Sequence, residues 1–248
     1  MSVPLRRILR RRFSSDERLG LRLTLGLLGV VVFVVPFLLL WLLVEDSWRP
    51  LARLDLDAAR ALNNAVWRHP NEVNALKAVS LVFNPSVFRL VALVVAGWLL
   101  VRRHMRLAAF VLVAVAGGSA LDGIAKTLAH RHRPLLDHPV ATAPGFSFPS
   151  GHALGSLVGV AMLMLVFLPM VPRRARPGVW LAAIAIVVAV GFSRIALGVH
   201  FVSDVVGGWV LGAAWMLVCT AAFATWRRET GRPVDLSEGL EPEVAADL

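Results

Sequence analysis

Charge is scarce in this chain. Only 17% of its 248 residues are Asp, Glu, Lys or Arg, while 57% are hydrophobic. Soluble domains carry roughly a quarter charged residues, and a mean hydropathy of +0.70 points instead to a membrane protein. Acidic residues are the scarcer sign, 16 against 26 Lys and Arg, for a formal net charge of +10. In a soluble protein that excess would suggest nucleic acid. Here no basic face on a soluble domain is visible and the arginines fall in short bursts between apolar runs, so nucleic acid is excluded as a partner. Cysteine occurs once, as Cys219 inside a late apolar run, which rules out an intramolecular disulfide and any cysteine metal set. It reads as a small buried hydrophobe. There is no internal repeat either, which argues against a transporter built from inverted halves.

Long apolar runs are what the chain has in abundance. Residues 1–22 are rich in arginine (Arg6, Arg7, Arg10, Arg11, Arg12, Arg18 and Arg22) and lead into the apolar run Leu23–Val44. At roughly 20 residues that run is long enough to span a bilayer. It is longer than a signal-peptide core and shows no small-residue cleavage site before Glu45-Asp46, so it reads as a retained first helix. Arg10-Arg11-Arg12-Phe13 reads as a basic cytoplasmic flank rather than an export signal. Five further spans follow: Ser86–Val101, Leu107 to about Ala125, His152–Met170, Gly178 to about Leu197, and Phe201–Trp226. Between the first two, Leu54, Ala58, Ala61, Leu62, Ala65 and Val66 recur at helical spacing, with Asp55, Asp57, Arg60 and Asn63 between them. Flanked by Trp48 and Trp67, this predicts an amphipathic helix on the outer membrane surface. The expectation is an all-α, six-span membrane domain over 23–226, between a cytoplasmic N-terminal segment 1–22 and a cytoplasmic tail 227–248.

Positive charge orients this layout. Seven arginines precede Leu23, and three basic residues occupy each of the stretches 102–106, 173–176 and 227–232, so 16 of the 26 Lys and Arg lie on one side. By the positive-inside rule that side is cytoplasmic. Three polar clusters then fall together on the extracytoplasmic face: Lys126 to Arg133-Pro134, Pro149-Ser150-Gly151-His152, and Ser193-Arg194 with His200 and Asp204. Ionisable residues at the ends of membrane helices are costly and mark function.

Their chemistry suits a phosphate. His200 and Asp204 are four apart, so on a helix they share a face, and the carboxylate can orient the ring and leave one nitrogen free as a nucleophile. Arg194 lies just upstream. Ser150 and Gly151 open a helix whose N-terminal amides favour anions, with Ser150 either capping that helix or donating to the phosphate. His152 is placed as an acid for a leaving oxygen. Arg133 offers a forked grip and Lys126 a compact charge, with Asp122 one turn away to pair with the lysine. Each cluster alone has an ordinary structural reading: a self-satisfied His–Asp pair, a turn before a helix, a lysine reaching for the interface. His130, His132, Asp137 and His138 crowd one loop without a fixed ligand spacing, so no metal is expected there.

Taken together, Lys-x6-Arg-Pro, Pro-Ser-Gly-His and Ser-Arg-x5-His-x3-Asp resemble the type-2 phosphatidic acid phosphatase superfamily, which includes vanadium haloperoxidases and glucose-6-phosphatases. The motifs cover residues 126–204. The resemblance implies that His200 attacks phosphorus to form a phosphohistidine and that Asp204 supports it. His152 would protonate the leaving group, then activate water. Lys126, Arg133, Ser150, Gly151 and Arg194 would bind the phosphoryl group, with no cofactor and no metal. It also implies a lipid phosphate or diphosphate substrate in the bilayer. The composition, rich in Ala, Val and Arg, has a bacterial character. For a bacterial member with an outward site the resemblance implies undecaprenyl diphosphate, with phosphatidylglycerophosphate or phosphatidic acid as alternatives that nothing in the sequence separates from it. A silent lipid-binding or transport relative is the rival of another class. Vanadium haloperoxidase chemistry is set aside because those relatives are soluble. A homodimer is left open by the sequence.

Overall fold

The computed structural model describes residues 31–229 and 239–241, with the side chains of 225–229 excepted. The expected basic segment 1–22, the first eight residues of the Leu23–Val44 run and most of the tail lie outside the described residues. Eight helices follow in order: α1 (described over Val31–Glu45), α2 (Arg49–Val66), α3 (Pro70–Val82), α4 (Pro85–Val101), α5 (Met105–Ala129), α6 (Gly151–Phe167, extended by a short 3-10 turn to Met170), α7 (Arg176–Ala196) and α8 (Val202–Glu229).

Five stretches are long and apolar enough to cross a membrane: Pro70–Val101, Met105–Ala129, Gly151–Met170, Arg176–Ala196 and Val202–Ala224. Among the described residues the pair α1 and α2 counts as a sixth only as a bent unit, α2 turning 88° from α1. The bend has a local cause. Ser47 adopts φ 49°, Trp48 N–H bonds to the Leu43 carbonyl at 3.0 Å and Ser47 N–H to that of Val44 at 3.1 Å, a left-handed C-terminal cap that stops α1. Pro50 then opens α2 with its φ already helical. The second span begins one residue earlier than the sequence predicts, at Pro85, and α3 runs into it. Asn84 caps α4 through its side-chain oxygen, which accepts from the Ser86 N–H at 2.8 Å.

α6 stands at the centre, packed against α4, α5, α7 and α8. Small residues let the helices close, as membrane helices require when no hydrophobic force separates them from lipid. A Cβ built on Gly159 of α6 would lie 2.1 Å from the Phe88 ring of α4, and one on Gly117 of α5 would lie 2.2 Å from the Trp215 ring of α8. Trp215 adds a hydrogen bond from its indole N–H to the Ala114 carbonyl at 2.8 Å. Facing outward, Leu90 (62% exposed), Val94 (64%) and Leu181 (70%) form an apolar exterior suited to lipid. The chain is a multi-pass, all-helical membrane protein.

α2 is amphipathic, but its inward face differs from the apolar stripe read in the sequence. Asp55, Ala59, Asn63 and Val66 point into the protein, while Leu54, Ala61 and Ala65 are exposed. Asp55 and Asn63 are carried inward because α7 and α8 offer them polar partners, which hydropathy spacing does not register. The N–H of Ser203 donates to Asp55 and the Asn63 amide donates to the Ala196 carbonyl.

Candidate active site

Arg194 and His200 are joined by a helix ending. α7 stops at Ala196, and Gly198 enters the left-handed region at φ +74°, where a side chain would be strained. Gly198 N–H then bonds to the Ile195 carbonyl at 2.9 Å and Val199 N–H to that of Arg194 at 3.2 Å. This is a Schellman cap. His200 N–H also reaches the Arg194 carbonyl, at 3.3 Å, so the five-residue spacing between Arg194 and His200 is the length of this turn.

α8 begins at Val202, so His200 precedes it rather than sharing its surface. Asp204, three residues past the helix-capping Phe201, reaches back to the Phe201 N–H at 2.8 Å, half of a capping box. The same carboxylate oxygen accepts from His200 Nδ1 at 3.4 Å. The ring is 2% exposed and its Nε2 accepts from Arg133 Nη1 at 3.1 Å. These partners assign the proton to Nδ1 and leave the Nε2 lone pair toward the site. Burial, reinforced by the nearby charges of Arg133 and Arg194, pushes the His200 pKa down to about 4 against the pull of Asp204. His200 is therefore neutral at physiological pH.

Arg133 makes less of a free fork than its sequence context suggests. Its Nε and Nη2 donate to the carbonyls of Gly145, Pro144 and Phe146, and Nη1 to that of Val199 at 2.8 Å. It clamps the 130–150 loop onto the site and presents one N–H edge to His200. Ser150 contributes differently from an N-cap. Its side chain makes no cap bond, and its backbone N–H donates to the Asp204 carbonyl at 2.9 Å. Its hydroxyl is buried with no partner among the described residues, as is Arg194 Nε. Buried polar atoms without partners are rare and call for one.

Lys126 lies on α5, one turn from the end of the helix, and pairs with Asp122 at 2.6 Å. A Cβ built on Gly151 would fall 2.8 Å from Lys126 Nζ and 2.8 Å from Asp122 Oδ2, so a side chain there would push this pair away from the start of α6. His152 is partly buried within reach of the charges of Arg194, Lys126 and Arg133 and of the His200 ring. All eight residues singled out in the sequence thus lie close together at one end of the helix bundle. Ser193, in the same motif, faces away and bonds to Ser80 of α3 at 2.9 Å.

Four polar residues here escaped the sequence reading. Asn84, whose oxygen is committed to Ser86, turns its amide N–H₂ to His152 Nε2 at 3.4 Å. Arg131 bridges two carboxylates, with Nη1 at 2.6 Å from Asp204 Oδ1 and Nη2 at 2.8 Å from Asp55 Oδ2. Ser203 donates its hydroxyl to Asp55. Of these, only Arg131, two residues before Arg133, carried a signal in its position. The loop histidines find other roles: His138 stacks on Trp67 with centroids 4.0 Å apart and His130 meets the Phe146 edge at 4.7 Å. Among the described residues no three His, Cys, Asp or Glu side chains gather as a metal-binding set.

Comparison with known proteins places this constellation. The profile of the PAP2 superfamily matches residues 107–228, which hold all three motifs. Phosphatidylglycerophosphatase B of Bacillus subtilis is 38% identical over 95 residues, 37% of this chain and 46% of that protein. An undecaprenyl-diphosphatase of Sulfolobus acidocaldarius is 37% identical over 68 residues, 27% of this chain and 29% of that one. Both aligned stretches span less than half of the relative's length. A crystal structure of a transmembrane PAP2-type phosphatidylglycerolphosphate phosphatase from Bacillus subtilis superposes with a TM-score of 0.69 and 24% identity, covering 82% of this chain and 98% of that one, and so shares the fold. On the matched motifs, their convergence at one end of the bundle and the shared fold, residues 107–228 are a PAP2 superfamily domain.

Proposed function

We propose that this protein is a membrane phosphatase that removes phosphate from lipid phosphate or diphosphate monoesters through a phosphohistidine on His200. The observation that carries the reading is the pairing of a buried neutral His200 with two buried phosphate donors, Ser150 Oγ and Arg194 Nε, that have no partner among the described residues. His200 Nε2 attacks phosphorus while the bond to the leaving oxygen breaks, and His152 gives that oxygen a proton. Asp204 balances the charge that the His200 ring gains. A water then attacks the phosphohistidine, giving its proton to His152, and the N–P bond breaks to release phosphate. Arg133 Nη1, now on the Nε2 lone pair, transfers to a phosphoryl oxygen as that lone pair is used. Lys126, Arg194, Ser150 and the backbone at Gly151 share the charge of the transferring group, where most of the catalytic effect lies. No step calls on a metal.

The site lies at the ends of α5 and α7 and the starts of α6 and α8, where a headgroup reaches it while its tail stays in the bilayer. The basic bursts at 102–106 and 173–176, on the opposite side, support an extracytoplasmic position for that end. Undecaprenyl diphosphate is the substrate favoured by an outward site. The likeness to phosphatidylglycerophosphatase B favours phosphatidylglycerophosphate as the second. The test is phosphate release from both lipids and phosphatidic acid, in excess chelator, by wild type and His200→Ala. Release by wild type alone is expected, its rates ranking the substrates. Silence from wild type on all three would leave a non-catalytic lipid-binding relative.

A further inference from the structure

α2 lies outside the three motifs, yet it delivers a carboxylate to within one residue of the catalytic pair. Asp55 is fully buried (0% exposed) and is committed on every side. Its Oδ1 accepts the Ser203 N–H at 2.9 Å, and its Oδ2 accepts the Ser203 hydroxyl and Arg131 Nη2 at 2.8 Å. Arg131 Nη1 goes on to Asp204 Oδ1 at 2.6 Å and Ser203 Oγ at 2.7 Å, with the guanidinium 4.3 Å above the Phe201 ring. Asp204 is thereby divided, Oδ1 to Arg131 and Oδ2 to His200 and Phe201. A single guanidinium between two buried carboxylates has one geometry that serves both. Without Asp55 its whole charge falls on Asp204, in competition with the His200 ring.

We propose that Asp55 is a positioning residue for phosphoryl transfer: by holding Arg131 it sets the orientation of Asp204 and, through it, that of the His200 ring. This rests on the phosphatase reading above, whose reaction it serves. Other residues would not substitute for it. Arg133 approaches His200 from Nε2, Arg194 from the end of α7 and His152 from α6, whereas Arg131, held by Asp55, is the side chain that bonds Asp204 Oδ1 among the described residues.

The test compares purified wild type, Asp55→Asn, Arg131→Gln, Arg131→Lys and His200→Ala on a lipid phosphate that wild type hydrolyses. Asp55→Asn keeps side-chain size and an acceptor for the Ser203 N–H but removes the charge. It is expected to lower kcat about ten- to a hundredfold, the scale for partners that orient reacting groups, with KM within about twofold. The acid limb of kcat/KM supplies a readout that a structural cap would not move. Asp55→Asn lets Arg131 draw charge from Asp204 and shifts the limb to lower pH. Arg131→Gln restores that charge to the His200 pair and shifts it to higher pH. Arg131→Lys keeps the charge but offers a point rather than a fork, cannot span both carboxylates, and is expected to lower kcat as Asp55→Asn does. The proposal is overturned if Asp55→Asn turns over within twofold of wild type, or if Asp55→Asn and Arg131→Gln shift the limb in the same direction. Should Asp55→Asn fail to fold, wild-type turnover by Arg131→Lys overturns it. A silent wild type, by contrast, would remove the phosphatase reading itself, whereas an active wild type with a dead His200→Ala isolates the question of Asp55.

Discussion

His200 shows how one side chain is tuned by what surrounds it. Its ordinary pKa would leave an imidazole part-charged near neutrality, yet burial and two arginines bring it to about 4. Attack requires the neutral ring, which is present above that value and is lost as pH falls through it. The acid limb of kcat/KM is therefore expected near pH 4, and kcat/KM should fall tenfold per unit below it. Arg133→Gln removes a charge that opposes protonation, so its limb should move to higher pH. A profile of kcat/KM against pH for the two proteins checks both statements, and an unmoved limb would show that Arg133 does not act on the nucleophile. The His–Asp pairing was legible from the spacing of four. The proton arrangement was not, because it depends on Arg133, which lies 67 residues away along the chain.

Helix ends build this site. The Schellman cap of α7 sets Arg194 against His200, the capping box of α8 fixes Asp204, and the first residues of α6 bring Ser150 and Gly151. Asn84 does two jobs at the start of α4, capping through its oxygen and meeting His152 through its nitrogen. Those jobs separate by mutation. Asn84→Ser preserves the cap and should leave stability within a few tenths of a kcal/mol, since serine caps as well as asparagine. It withdraws the His152 partner and should lower kcat about tenfold, a part of what an acid–base group supplies. Asn84→Ala should lose that tenfold and about 1 kcal/mol of stability as well. Thermal unfolding in detergent beside kcat distinguishes the two effects, and full activity in both variants would remove Asn84 from the site.

The arrangement of the protein in the bilayer follows from charge and from apolar length. Among the described residues the basic bursts at 102–106 and 173–176 lie at the end away from the site, so the site is expected outside. Leu135, 92% exposed in the loop beside Arg133, offers a place to ask. Leu135→Cys should react with a membrane-impermeant thiol reagent added to intact cells, while Arg174→Cys should react only after lysis. The one native cysteine, Cys219, is buried and should stay silent. Labelling of Arg174→Cys in intact cells would invert the topology and move the reaction to the cytoplasmic face.

Taken alone, the sequence determined the membrane class, five of the helical spans and the three polar clusters. It could do so because apolar length, charge bursts and short motif spacings are local properties of a chain. Even the meeting of the clusters was within its reach, since an even alternation of spans returns them to one side. Tertiary structure decided what local spacing does not encode. The break in the first bent pair depends on a left-handed residue at Ser47. The inward turn of Asp55 and Asn63 on α2 depends on polar partners in α7 and α8 that lie more than 130 residues ahead in the chain. The division of Asp204 between His200 and Arg131 required the bundle to be closed, because a buried carboxylate is held by whichever donors reach it in space, and sequence order carries no record of which those are.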